Sequence, residues 1–257
     1  MVDFTIDIHS FLDQKYLSFN QPAFIETDPI QVPSLFTTKE NIEIAGFLAA
    51  TLSWGQRPTI IRNALSLVRR MDNNPIEFLL NTPEEEWVRF ADFKHRTFNG
   101  LDCQFFLKSI RNIYLNHGGL EAIFTDGYQK DQTIYSALEH FRKIFFEQEH
   151  ERRTEKHVSD VTKGAAAKRL NMFLRWMIRS DQSGVDFGLW KQIPSSALML
   201  PLDVHTGNVA RKLGLLTRTQ NDWKAVEEIT RNLRKFDPAD PIKYDFALFG
   251  LGVFEKF

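Results

Sequence analysis

One cysteine, Cys103, stands alone in 257 residues. No intrachain disulfide can form, and four cysteines are not available for a zinc site or an iron–sulfur cluster. A reducing, cytoplasmic setting is the expectation. No apolar run reaches the ~18 residues of a membrane span, so no membrane association is expected. The opening residues, Met1 to Asp7, lack the basic stretch of a secretory signal. Sustained period-two alternation is missing, which argues against a sheet and predicts under ~5% strand. Internal repeats and low-complexity segments are also missing. The net charge of -1 lacks the basic excess usual in nucleic-acid binders.

What is present is a helical pattern and many rings. Hydrophobic residues make up 43% of the chain and charged residues 25%, with 23 phenylalanines that imply an aromatic core. Apolar residues recur at helical spacing over 41–54, 57–71, 102–116, 133–146, 165–178, 223–233 and 244–251. Pro58 falls in a first turn, where its missing N–H costs nothing. Residues 20–37 read as an ordered connector with three prolines. Residues 148–163 read as an exposed polar loop, and 180–195 as a second connector with two glycines and aromatic side chains.

Charge is uneven along the chain. From Glu151 to Arg179 the basic residues far outnumber the acidic ones. Lys168, Met172, Arg175 and Arg179 share one face of a helix, which could follow phosphates, with Arg169 beside them. The plainer alternative is a solvated face. Gly164-Ala165-Ala166-Ala167-Lys168 is a small-residue turn that delivers a lysine to a helix start. Free N–H groups at such a start suit an anion. Further on, Asp203 precedes a helix beginning Val204-His205-Thr206. Aspartate is a favoured N-cap, and a capping carboxylate is held ionised and rigid, as a base must be. His205 has no companion ligands at metal spacing, so no metal is expected. Phe187 and Trp190, between the two chemical candidates, together with Trp54, could flank a base. Trp176 fits the apolar stripe and belongs in the core.

These segments resemble motifs of the helix-hairpin-helix DNA glycosylases, the endonuclease III superfamily. Gly164–Lys168 is similar to the family's G-V-G-x-K hairpin, and Pro201-Leu202-Asp203-Val204-His205 to its V-D-T-H element. Leu48 to Thr59 resembles the L-L-S-x-Q-x-T-D helix end, and Phe246 to Gly250 the helix ending in glycine near the C-terminus. The four occur in the family's order and span roughly residues 40 to 252. The chain departs from the family in having Asp160-Val161-Thr162-Lys163-Gly164 where L-P-G is usual. Its long lysine-to-aspartate interval is more like that of the archaeal 8-oxoguanine glycosylases.

The resemblance implies an all-α fold of two helical subdomains around a cleft. Residues 39–190 would form a helical barrel with the divergent hairpin, and 1–38 with 191–257 the second unit. It implies a DNA glycosylase/lyase acting on lesion-bearing double-stranded DNA, such as DNA with an oxidised purine, with no cofactor. Lys168 would be the nucleophile and Asp203 the catalytic carboxylate. Gln56 would fill the gap left by a flipped base. Gly164, Ala165, Ala166, Arg169, Arg175, Arg179 and His205 would meet the DNA, and Trp54, Phe187 and Trp190 the base. The alternative is a non-catalytic DNA-binding module, in which Asp203 only caps. A helical scaffold for protein partners is a third reading, which would need phenylalanines at the surface.

Overall fold

The structure is a computed structural model that describes residues 7–257. Among these, helix accounts for 64% and strand for 2%. The α-helices are α1 (Ile8–Phe19), α2 (Ala23–Thr27), α3 (Lys39–Leu52), α4 (Arg57–Arg70), α5 (Pro75–Asn81), α6 (Gly100–Asn116), α7 (Leu120–Gln129), α8 (Ile134–Phe145), α9 (Lys168–Ile178), α10 (Val204–Lys212), α11 (Trp223–Leu233) and α12 (Tyr244–Val253). One antiparallel hairpin, β1 (Lys94–His95) with β2 (Phe98–Asn99), pairs Lys94 with Asn99 and His95 with Phe98. The protein is all-α in class, as its periodicity predicts.

Helix α3 is the central post. Residues 41 to 52 are all buried, as expected of a helix that is apolar on nearly every side. It packs on α4, α5 and α9. Phe47 sits among Phe106, Phe141, Phe145 and Phe173, with ring centroids 5.4–6.0 Å away. The phenylalanine surplus is thus largely core, with edge-to-face and stacked contacts that add to simple burial. Phe254 and Phe257 are exposed.

Helix α12 is the second post, in contact with α1 and α10. Two glycines permit this. A Cβ on Gly250 would lie 2.2 Å from the Phe19 ring, and one on Gly252 would lie 3.1 Å from His205 Cβ. Gly250 therefore sits inside α12 and does not end it; its lack of a side chain lets α1 close on the helix.

Two segments differ from the sequence reading. Residues 148–163 do not form a simple exposed loop: short 3-10 turns at Arg152–His157 and Val161–Lys163 bury Thr154, His157, Val158 and Val161. Helix α9 begins at Lys168, three residues later than its alanines suggest. Ala167 is left-handed (φ 49°) and Ala165 is bridged to Asp222. Tethering to the start of α11 overrides the helix propensity of the alanines.

Candidate active site

A cleft of ≈ 850 Å³ lies between the α3–α4 junction, the start of α9, the Pro201–His205 segment and α12. Lys168, Asp203, Gln56, Trp54, Arg169, Arg175 and His205 all line it. The hairpin positions Lys168. Asp160 caps the Thr162 amide at 3.1 Å, and Gly164, at φ 81°, turns the chain back. Trp223 N donates to Gly164 O at 2.9 Å, which fixes the turn on α11. Lys168 follows as the first residue of α9, with Nζ 3.6 Å from Met172 Sδ and no ion pair among the described residues.

The hairpin amides are not all free for an anion. Gly164 N donates to Val161 O and Ala165 N to Asp160 O. The bridge of Ala165 to Asp222 also turns the Ala166 amide towards the 221–222 backbone, which leaves the amide of Ala167 and the first turn of α9 to meet an anion.

Asp203 is the N-cap of α10 in extended conformation, with Oδ1 accepting from Thr206 N at 2.9 Å. Its other oxygen is not engaged by the cap. Asn221 Nδ2 donates to the Asp203 carbonyl at 3.1 Å and steadies the turn. His205 is exposed in the first turn of α10 at the cleft edge. Gln56 is exposed at the start of α4, with no side-chain capping bond. Trp54 is half-buried in the cleft wall beneath the Arg96 guanidinium, 4.6 Å from its ring.

The basic stripe of α9 is not a phosphate-facing surface. Arg179 is fully buried. It donates from Nε to both oxygens of Asp240 (3.1 and 3.0 Å), from Nη1 to Asp181 (2.6 Å) and Asp186 (3.0 Å), and from Nη2 to Tyr16 (2.9 Å). Burial opposes its charge, but the carboxylates of Asp186 and Asp240 outweigh that and hold its pKa above the usual value. Arg175, also buried, reaches Asp186 at 3.2 Å and Asp245 at 2.5 Å. Arg169 is half-buried and bonds the carbonyls of Thr51 and His157 (3.0 Å for the latter). Without a carboxylate beside it, burial pushes Arg169 down to about 10. All three guanidiniums have internal acceptors, so the expected DNA contacts of Arg169, Arg175 and Arg179 give way to structural roles.

Trp190 and Phe187 do not line the cleft. Trp190 is buried between Phe124 and Phe173, and its Nε1–H donates to Glu43 Oε1 at 2.6 Å. Glu43 also accepts from Tyr114 at 2.6 Å. Phe187 is half-buried against the core. The 180–195 connector serves the interior because its aromatic side chains and Asp186 all find buried partners.

Sequence reasoning missed Asp28, Arg57, Asp245 and Phe249, which share the cleft with Lys168. Asp245 is buried, and burial pushes its carboxyl up to about 6, with the nearby Asp203 adding to the shift and Arg175 and Lys168 opposing it. A signal existed: Asp245 is the lone charge in the apolar helix 244–253, and a charge so placed must find a partner. Asp28 is also buried, with Oδ1 accepting from Ile30 N at 3.1 Å, and burial raises its pKa. Arg57 lies over Phe249 (4.6 Å) and Phe254 (5.2 Å). Nothing in the spacing of residues 20–37 marks Asp28 for the cleft. Among the described residues, no three His, Cys, Asp or Glu side chains gather as metal ligands.

The arrangement is that of an all-α protein whose cleft holds a lysine amine, without an ion pair among the described residues, beside carboxylates at helix starts. Such a cleft can bind an anion and can move a proton between an amine and a carboxylate. Residues 28–254 match the family described as "Protein of unknown function (DUF2400)", and the chain belongs to that family. No curated protein and no solved structure matches it.

Proposed function

We propose that the protein is a DNA glycosylase/lyase that excises a damaged base, such as an oxidised purine, through a lysine Schiff base. One observation carries the reading: Lys168 and Asp203 occupy helix starts that border the same cleft, although 35 residues separate them. The motif resemblance and this convergence support each other. A flipped nucleotide would enter the cleft, where a base needs apolar or π walls; Trp54 and Phe249 line it.

The chemistry begins with attack of the neutral Lys168 amine on C1′ of the sugar. The N–C1′ bond forms as the C1′–base bond breaks, and the base leaves as its anion and takes a proton from solvent. Asp203 accepts the proton shed by the lysine nitrogen, or faces the positive charge that develops on the sugar. Ring opening then yields the imine. Loss of a C2′ proton expels the 3′ phosphate by β-elimination. No cofactor enters this sequence.

The test is borohydride trapping on a panel of lesion-bearing duplexes. Wild type should become covalently linked to one of them. Lys168→Gln should lose trapping and keep binding. Asp203→Asn should lower the rate by roughly 10²–10⁴, the range for a positioned acid–base group, with stability falling by no more than ~1 kcal/mol, since asparagine still caps. The capping bond to Thr206 favours one competing reading, a non-catalytic DNA-binding module. Absence of trapping and base release on every lesion, with a sharp fall in melting temperature for Asp203→Asn, would select that module.

A further inference from the structure

We infer that the rim of the cleft built by α4 and the β1–β2 hairpin is the surface that receives the phosphate backbone of DNA. This rests on the glycosylase reading and states where the duplex lies. The arginines of α9 have internal acceptors, so the phosphates must be met elsewhere. Arg57, Arg62, Arg69, Lys94 and Arg96 make no ion pair among the described residues, and all but Arg57 are exposed. Their neighbours Arg70 and Arg89, by contrast, are held by Asp92 and by Asp72 and Glu86. The rim is a run of uncompensated positive charge in a chain of net charge -1.

The run is continuous with the cleft. A groove of ≈ 640 Å³ beside α4 shares Arg57 and Pro58 with the cleft and carries Arg62 and Arg69 away from it, with Glu26 the only carboxylate on its walls among the described residues. From Arg57 to Arg69 the helix advances roughly 18 Å at ~1.5 Å per residue, about five base steps of one strand at ~3.4 Å each. A chain of evenly spaced phosphates matches that track.

The hairpin is anchored beside the start of α4. Arg96, at its tip, has φ 56°, the left-handed conformation that a two-residue hairpin loop favours. Its guanidinium lies over Trp54. Beneath it, the His95 ring contacts the Trp54 carbonyl at 3.3 Å and Asn63 of α4 at 3.0 Å. Arg153 Nη2 donates to Thr97 O at 3.0 Å. A charged tip anchored on a cleft-lining tryptophan is placed to touch a strand next to the entering nucleotide.

The experiment measures binding of the full chain to a lesion-free duplex between ~50 and ~200 mM salt. The triple variant R62Q/R69Q/R96Q should melt within a few degrees of wild type, since these side chains are exposed and Arg96 loses only its contact with the Trp54 ring. Its salt slope should be shallower by about 2.7, at ~0.9 per lost phosphate contact. A fourfold rise in salt should then cost it about 40-fold less affinity than it costs wild type. The control R152Q/R231Q removes two exposed arginines that also make no ion pair among the described residues and should keep the wild-type slope. A triple variant with the wild-type slope overturns the rim while leaving the DNA reading intact. Equal flattening by the control shows diffuse attraction and also overturns it. Competition by polyglutamate as strong as by the duplex reassigns the rim to an acidic protein. Failure of wild type to bind at ~50 mM salt removes the glycosylase reading and the rim together.

Discussion

Replacing Arg179 by methionine separates a structural arginine from a phosphate-binding one. The change keeps much of the side-chain volume and deletes the charge. It strands Asp186, which is fully buried and would keep only Arg175, and it removes the cation facing Asp181 and Asp240. Tyr16 also loses a donor. Breaking a buried pair from one side costs roughly 3–5 kcal/mol, because the surviving charge stays desolvated. For a chain of this size each kcal/mol lowers the melting temperature by about 2–4 °C. A loss of roughly 6–20 °C is therefore expected, a large share of the ~5–15 kcal/mol that holds a typical protein. The deficit should shrink as pH falls: burial raises the carboxyls of Asp181 and Asp240 and Arg179 opposes it, so without the arginine protons bind these two more tightly in the native state than in the unfolded one. Calorimetry from pH 4 to 7 on Arg179→Met, beside exposed Arg62→Met, reads both effects. A methionine variant that melts with wild type, or whose deficit grows towards acid, would refute the ion-pair account and return Arg179 to the list of phosphate contacts.

Asp245→Asn tests the buried carboxylate of the cleft. Its folded pKa is raised from an ordinary 3.8 to about 6, so its contribution to stability is fully present below about 4 and is lost as pH rises through about 6. The shift corresponds to about 3 kcal/mol at ~1.36 kcal/mol per pH unit. The wild type should therefore lose roughly that much relative to the asparagine variant between pH 4 and 7 in urea titrations, and parallel curves would contradict it. Gly250→Ala places a Cβ 2.2 Å from the Phe19 ring and should cost about 1–3 kcal/mol through displacement of α1; an unchanged denaturation midpoint would count against the α1–α12 contact. Gln56→Ala should change stability by less than ~0.5 kcal/mol, yet slow excision from paired duplexes more than from mismatched ones; equal rates on both would remove the wedge role.

The chain by itself determined the helices that carry most of the fold. Six of the seven helical ranges predicted from period agree with α3, α4, α6, α8, α11 and α12 to within two residues at each end, because one apolar stripe per helix is a local property. Cap residues were legible for the same reason: Asp203 caps α10 through an amide three residues away. The seventh range, α9, starts three residues late, since a bridge to Asp222 holds Ala165. Helix α5 spans only seven residues, too few to show a stripe, whereas α1 and α7 were missed although α7 buries Leu120, Ile123, Phe124 and Tyr128 at helical spacing. Local spacing also limits what is legible of the site. Lys168 and Asp203 could be named from their local settings, but Asp28 and Asp245 join them through contacts more than 40 residues apart in sequence. The arginines of α9 are the sharpest case. A run of basic residues looks alike whether it faces water, phosphate or buried carboxylates. Here the partners are Asp181, Asp186, Asp240 and Asp245; Asp181 follows Arg179 by two residues, but Asp240 and Asp245 come within hydrogen-bonding distance only because the fold brings the end of the chain against α9. Local spacing specifies which residues can share a helix face; the tertiary structure alone decides what that face meets, because ion pairing depends on distance in space and not on separation along the chain.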